Sequence, residues 1–165
     1  MRSTLQLIGV LGLVAASAAC GGGDKKSDTS GDVFDLPQGD EVVELDPTEF
    51  TTEIDNPYWP MDVGTRWTYR ETDEEGKQLE VVVVVTDTTK LIANGITARV
   101  VRDTVTEDGE IIEDTFDWYA QDAAGNLWYL GEDTAEFDGG EIVSRAGSFE
   151  AGVDGAMAGI IIPAD

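Results

Sequence analysis

The 165-residue chain contains no histidine, and Cys20 is its single cysteine. These absences remove Ser/His/Asp and Cys/His nucleophilic catalysis, and with them the nitrogen and sulfur ligands on which most zinc sites depend. They also exclude a disulfide within the chain, so a domain built from it is held by its apolar core and its β-ladders. Cations are scarce: 10 Lys and Arg stand against 34 Asp and Glu, a formal net charge of -24. Phosphate backbones are bound by Lys and Arg that neutralise their oxygens, so nucleic acid is not an expected partner. The bland reading of such charge is solubility; the sharper one is attraction of cations or basic partners. The apolar run at residues 5–16 (LQLIGVLGLVAA) falls short of the roughly 20 residues that a transmembrane helix needs.

That run nevertheless carries a signal. Arg2 precedes it, and small residues follow it, the pattern of a secretion leader. Ser17, Ala18, Ala19 and Cys20 resemble the bacterial lipobox, in which small residues precede a cysteine that is acylated and becomes the new amino terminus. Ser17 stands where that motif usually has an aliphatic residue, which leaves ordinary cleavage after Ala18 as the alternative. Residues 21–32 (GGGDKKSDTSGD) have no apolar period and cannot bury enough surface to offset ordering entropy, so they read as a tether. The expected organisation is a signal peptide over 1–19, a lipidated Cys20 with its tether over 20–32, an acidic extended lead-in over 33–55, and a β-rich domain over 56–165. The resemblance implies a lipid-anchored protein of the cell envelope; Gly21 after the cysteine places it at the outer membrane if the cell is Gram-negative.

The remainder alternates in the manner of strands. Residues 66–72 (RWTYRET) put Trp67 and Tyr69 on one face, residues 73–76 supply a turn, and residues 77–86 (KQLEVVVVVT) form a central strand with cover on each side or one strand of a small barrel. Asn94-Gly95 and Asp108-Gly109 are hairpin signals, because a type I′ turn needs positive φ at both central positions. A two-residue turn at Asp108-Gly109 sets Val105 opposite Ile112, Val101 opposite Phe116 and Asp103 opposite Asp114. A loop at 122–125 in the hairpin over 115–130 pairs Trp118 with Tyr129 and Tyr119 with Trp128, one aromatic pair per face. Either the sheet is covered on both sides or one pair is open to solvent or ligand. Tyr58 and Trp59 are expected to cap the sheet, and the isoleucines at 160–162 either to join it as an edge or to be covered by further strands of a longer chain. The fold class is all-β: an antiparallel meander of hairpins forming a curved sheet or a small open barrel.

Residues 56–70 (NPYWPMDVGTRWTYR), 113–133 (EDTFDWYAQDAAGNLWYLGED) and 147–159 (GSFEAGVDGAMAG) resemble a family of uncharacterised secreted or lipid-anchored bacterial proteins. The resemblance covers most of the domain and implies that the chain normally continues past Asp165. That family offers no activity and no catalytic residue to transfer.

Four functional readings stand side by side. A non-enzymatic binding or structural module of the envelope fits paired strands rich in Trp, Tyr and Val with no site chemistry, and a lipid or amphiphile carrier is its apolar variant. Calcium, which takes oxygen ligands, is suggested by Asp103, Asp114 and Asp117, with Asp122 and Asp133 near turns, although no EF-hand spacing is present. Trp118, Tyr119, Trp128 and Tyr129 are candidates for ligand contact, including stacking on sugar rings. Catalysis by paired carboxylates, which a glycosidase places about 5 to 10 Å apart, is the weakest, since any acid-rich chain offers such pairs.

Overall fold

The structure is a computed structural model and describes residues 43–164. Cys20, the leader and the tether lie outside the described residues. A short 3-10 turn, η1 (Pro47–Glu49), is capped by Asp46, whose carboxylate accepts from the Thr48 backbone N–H at 2.9 Å. It leads into β1 (Phe50–Thr51). Six strands then follow as a meander in which each pairs with the next: β2 (Arg66–Thr72), β3 (Gln78–Leu91), β4 (Thr97–Glu107), β5 (Glu110–Asp122), β6 (Leu127–Asp138) and β7 (Glu141–Ser144). β8 (Phe149–Glu150) and β9 (Gly159–Ile162) complete one curved, open, antiparallel sheet of nine strands. It is not closed into a barrel. Among the described residues no helix is long and apolar enough to cross a membrane.

The short strands manage the sheet's edges. β7, β8 and β9 lie in succession along the outer side of β6, against Glu136 to Asp138, then Gly131 and Glu132, then Leu127 to Tyr129. Together they act as one interrupted strand that satisfies an edge which would otherwise expose backbone donors and acceptors. The isoleucines of β9 therefore join the sheet as expected. β1 pairs with the end of β5 through Phe50 opposite Asp122 and Thr51 opposite Gln121, so the lead-in also contributes a strand.

Two β-bulges correct the registers read from the turns. Asp108 and Gly109 both have positive φ, 51° and 86°, and the turn between β4 and β5 is a two-residue one with Glu107 opposite Glu110. Ile112 is then an extra residue, after which Val105 faces Glu113, Asp103 faces Thr115 and Thr104 faces Asp114. Asp103 and Asp114 are thus not cross-strand partners. In the β5–β6 hairpin the loop runs one residue further, with Asp122 N–H donating to the Asn126 carbonyl at 3.0 Å. Tyr119 consequently pairs with Tyr129 and Ala120 with Trp128; Leu130 is bulged, and Trp118 meets Gly131. At the β3–β4 turn, Gly95 has φ 91° while Asn94 does not share the left-handed region. Its side chain accepts from the Ile96 N–H at 3.1 Å instead, closing a longer loop in which Ile92 N–H donates to the Ile96 carbonyl.

Alternation sorts the side chains into two faces. On the valine face, Leu79, Val81, Val83, Val85, Val101, Val105, Tyr119 and Leu127 form a cluster with Ile54 and Met61, against which Trp59, Trp67, Ile161 and Ile162 pack. On the tryptophan face, Ile92, Ile96, Ala98, Val100, Trp118, Ala120, Leu130 and Ala151 cluster under Leu45 and Phe50. The run from Val81 to Val85 thus resolves by period two: Val81, Val83 and Val85 are buried, Val82 and Val84 half-buried. Trp59 does cap the sheet, tilted against Trp67 at 6.0 Å and edge-on to Tyr119 at 5.6 Å. Tyr58 does not: it is 68% exposed, because the loop that delivers Trp59 turns the preceding side chain outward.

Candidate functional site

The aromatic hairpin spends its rings on both faces. Trp118 is buried on the tryptophan face, with the Lys90 ammonium 4.4 Å from its ring centre and that ammonium paired to Glu150 at 3.1 Å. Trp128 is buried against Phe50, edge-on at 5.9 Å, and its indole N–H donates to Asp122 at 2.8 Å. Both tryptophans are covered, with 7% and 5% of their surface exposed, so neither presents an open ring for a sugar to stack on. On the valine face Tyr119 is buried and Tyr129 half-buried, stacked at 5.1 Å, with Phe149 edge-on to Tyr129 at 5.4 Å. The sheet is therefore covered on both sides, the first of the two arrangements the sequence left open.

The acids separate as well. Asp114 lies on the tryptophan face, held in a fork by Arg102 at 2.7 and 3.0 Å and by the Thr104 hydroxyl at 3.1 Å. Asp122 organises its loop by accepting from the Ala124 and Asn126 backbones, the Asn126 amide and Trp128. Asp133 pairs with Arg145 at 2.6 Å. Asp103 and Asp117 share the valine face, while Asp114, Asp122 and Asp133 fall on the other, each engaged by its own partners, and no group of three or more acidic side chains placed to hold a metal ion occurs among the described residues. The separation of Asp103 from Asp114 follows directly from the bulge at Ile112, which breaks the assumed register.

A strip of polar groups nevertheless crosses the valine face over β4, β5 and β6. Asp103, Thr115 and Thr134 stand in one cross-strand row, Val101, Asp117 and Glu132 in the next, and Val105, Glu113 and Glu136 in the one beyond. Thr115 and Thr134 are buried and share a 2.6 Å hydroxyl contact. The Tyr129 hydroxyl donates to Asp117 at 2.7 Å. Asp103 Oδ1 is buried and has no hydrogen-bond partner among the described residues. No Lys or Arg among the described residues pairs with Asp103, Glu113, Asp117 or Glu132.

The electrostatic result is uniform in sign. Burial beside the valines pushes Asp103 up to about 6, with Glu113, Glu71 and Asp114 adding repulsion. Burial likewise pushes Asp117 up to about 7, against the lowering effect of the Tyr129 hydrogen bond. Glu113 and Glu132 are raised too, chiefly by burial. Tyr119 and Tyr129 are raised by burial and then by the Asp117 charge, so both phenols stay protonated, and Tyr129 remains the donor to Asp117.

Sequence reasoning singled out Asp103, Asp117, Tyr119 and Tyr129 but missed Glu113, Glu132, Thr115 and Thr134. A signal was present on β5, where Glu113, Thr115, Asp117 and Tyr119 alternate at the strand period. On β6 the bulge at Leu130 interrupts that period and hides it. Set against known proteins, the chain matches no family model, no curated protein and no solved structure.

Proposed function

We propose that this chain is a lipid-anchored module of the cell envelope that binds or braces a partner and performs no chemistry of its own, with the polar strip of the valine face as its contact surface. The observation that carries this reading is the set of four acids on β4, β5 and β6 without a Lys or Arg partner among the described residues, bordered by the stacked tyrosines. Asp103, Glu113, Glu132 and Tyr129 are each only partly covered, which leaves them within reach of an incoming group. A buried carboxylate gains most from a cation that replaces lost hydration, and tyrosine rings favour the same charge. The partner class is therefore a basic one: an ammonium or guanidinium carried on a protein or peptide. The apolar carrier version is weaker, because Ile54, Trp59, Met61, Ile161 and Ile162 already pack on the valines.

Binding of an arginine-containing peptide to the full chain, followed by calorimetry at low and moderate salt, tests the surface. Replacing Asp103 by Asn together with Glu132 by Gln should weaken binding about 10-fold, as losing charge-assisted contacts does. Replacing exposed Asp138 by Asn and exposed Glu141 by Gln makes the same change in net charge and should leave affinity within about 2-fold. Equal losses in the two variants would reduce the attraction to overall charge and sink the assignment. The anchor is tested separately: Cys20→Ser should move the protein from the membrane to the soluble envelope fraction, and unchanged membrane retention would refute lipidation at that residue.

A further inference from the structure

Among the described residues, two acids of the valine face, the buried Asp117 and the partly covered Asp103, serve no ion pair, and their placement has a consequence for the free domain. Asp103 stands between Val101 and Val105 on β4 and faces Val83 of β3 on one side and Thr115 of β5 on the other. The Thr115 hydroxyl is engaged with Thr134 and Glu113, and Asp103 Oδ1 is left with no donor. Asp117 is buried one row away, facing Val101 and Glu132, with Tyr129 as its donor. Among the described residues the surroundings supply no compensating cation. β2 presents Trp67, Tyr69 and Glu71, β3 presents Leu79 and valines, and β6 presents Glu132 and Glu136. At one end of the face Lys77 is bound to Glu107 at 2.8 Å. At the other, Arg99 donates to the carbonyls of Thr52, Thr86 and Thr88. Asp55 is taken by the Gln121 amide at 2.6 Å.

An ionised carboxylate with an oxygen left without a donor, as at Asp103, or buried with one phenol donor and no cation, as at Asp117, is costly in such a place, whereas a carboxylic acid is tolerated and can itself donate. We propose that Asp103 and Asp117 retain protons in the folded domain and make this sheet a pH-responsive element, tighter in mildly acidic surroundings and looser as the medium turns neutral to alkaline. The loosening acts where these residues sit, on the ladders joining β4, β5 and β6. It is a property of the folded chain alone and does not rest on the partner proposed above.

The direction follows from proton linkage. Both groups bind protons more tightly when folded than when unfolded, so the stability they contribute is fully present below the unfolded carboxyl range. It is lost as pH rises through about 6 and about 7. After allowance for solvent screening at the partly exposed Asp103, the unfolding constant should be about 10- to 100-fold larger near pH 8 than near pH 5.

Urea unfolding of the full chain at constant ionic strength across this range reads the effect. A midpoint that falls with rising pH in the parent protein, and a profile that flattens in Asp103→Asn/Asp117→Asn, is the expected result. Asp138→Asn/Glu141→Gln, which removes exposed charge, should keep the slope and so separates the Asp103 and Asp117 pair from general repulsion. A flat or rising profile in the parent, or an unchanged slope in the Asp103→Asn/Asp117→Asn variant, would overturn the proposal. Should that variant not fold, the carboxyl carbons of the parent protein decide by NMR: Asp103 and Asp117 must titrate well above the ordinary aspartate range, and midpoints near 4 would refute the idea.

Discussion

Gly131→Ala should lower the melting temperature by roughly 12 °C, the equivalent of about 3 kcal/mol in a domain of this size. Gly131 follows the bulged Leu130 on β6 and lies directly across from Trp118, with β8 on its other side. Its φ of 137° belongs to the region that side chains rarely enter. A Cβ built there would come 2.3 Å from the Phe149 carbonyl oxygen, 3.0 Å from Glu150 Cα and 3.0 Å from the Trp118 ring. Two of these obstacles are backbone, so relief requires β8 to move off β6 and not merely a rotamer change. The displacement would also disturb Phe149 against Tyr129 and the Glu150 carboxylate that receives Lys90 and the Ala93 N–H. Gly139→Ala is the matched comparison: φ is 59° and nothing lies within 4 Å, so only the backbone preference is lost, about 1 kcal/mol. Thermal unfolding of the two variants in parallel separates clash from conformational preference. Equal losses would mean that the tight approach of β8 carries no weight.

The same bulge explains how much of the molecule its amino-acid order reveals. Strand identity was legible, because Arg66–Thr72 and the valine run alternate cleanly and Asp108-Gly109 has the chemistry of its turn. Turn chemistry fixes register only locally, however, and an extra residue at Ile112 or Leu130 costs nothing that a hydrophobicity pattern can display. The bulge at Ile112 took Asp114 from Asp103, the loop after β5 closed one residue off the simple reading and so exchanged Trp118 for Tyr119 opposite Tyr129, and the bulge at Leu130 shifted the partners beyond it once more. The candidate site lies where those displacements accumulate, so its members were visible singly while their company was not. Burial of polar groups was hidden for a related reason. Thr115, Asp117 and Thr134 look like solvent-facing strand residues until curvature and the neighbouring strands cover them. The covering of the tryptophans by the lead-in and by the chain after β7 depends on contacts between segments far apart in sequence, which no local period encodes.

Such a long-range contact also sets the second large effect, at Asn56. Its side chain is 1% exposed, and its amide group donates to the carbonyls of Gly125 and Pro163, both at 3.0 Å, while its Oδ1 accepts from the Tyr58 N–H. One residue thereby ties the lead-in, the β5–β6 loop and the segment after β9. Its own backbone N–H and that of Asp55 are received by the Gln121 side chain. Asn56→Ala should therefore cost about 3 kcal/mol, since three bonds vanish and their partners are left in a covered place. Asn56→Asp is the sharper variant. It keeps the shape and the acceptor for Tyr58 but turns an anionic oxygen toward two carbonyls, so at neutral pH it should be the less stable of the two despite the smaller change in volume. Protonation restores one donor, so the gap between the variants should close as pH falls toward 5, the carboxyl's folded pKa being raised. Urea midpoints of both variants at two pH values measure this, and limited proteolysis should release residues 159–164 first. An aspartate variant as stable as the parent at neutral pH would show that the two carbonyls are satisfied from elsewhere and that Asn56 does not hold the three segments together.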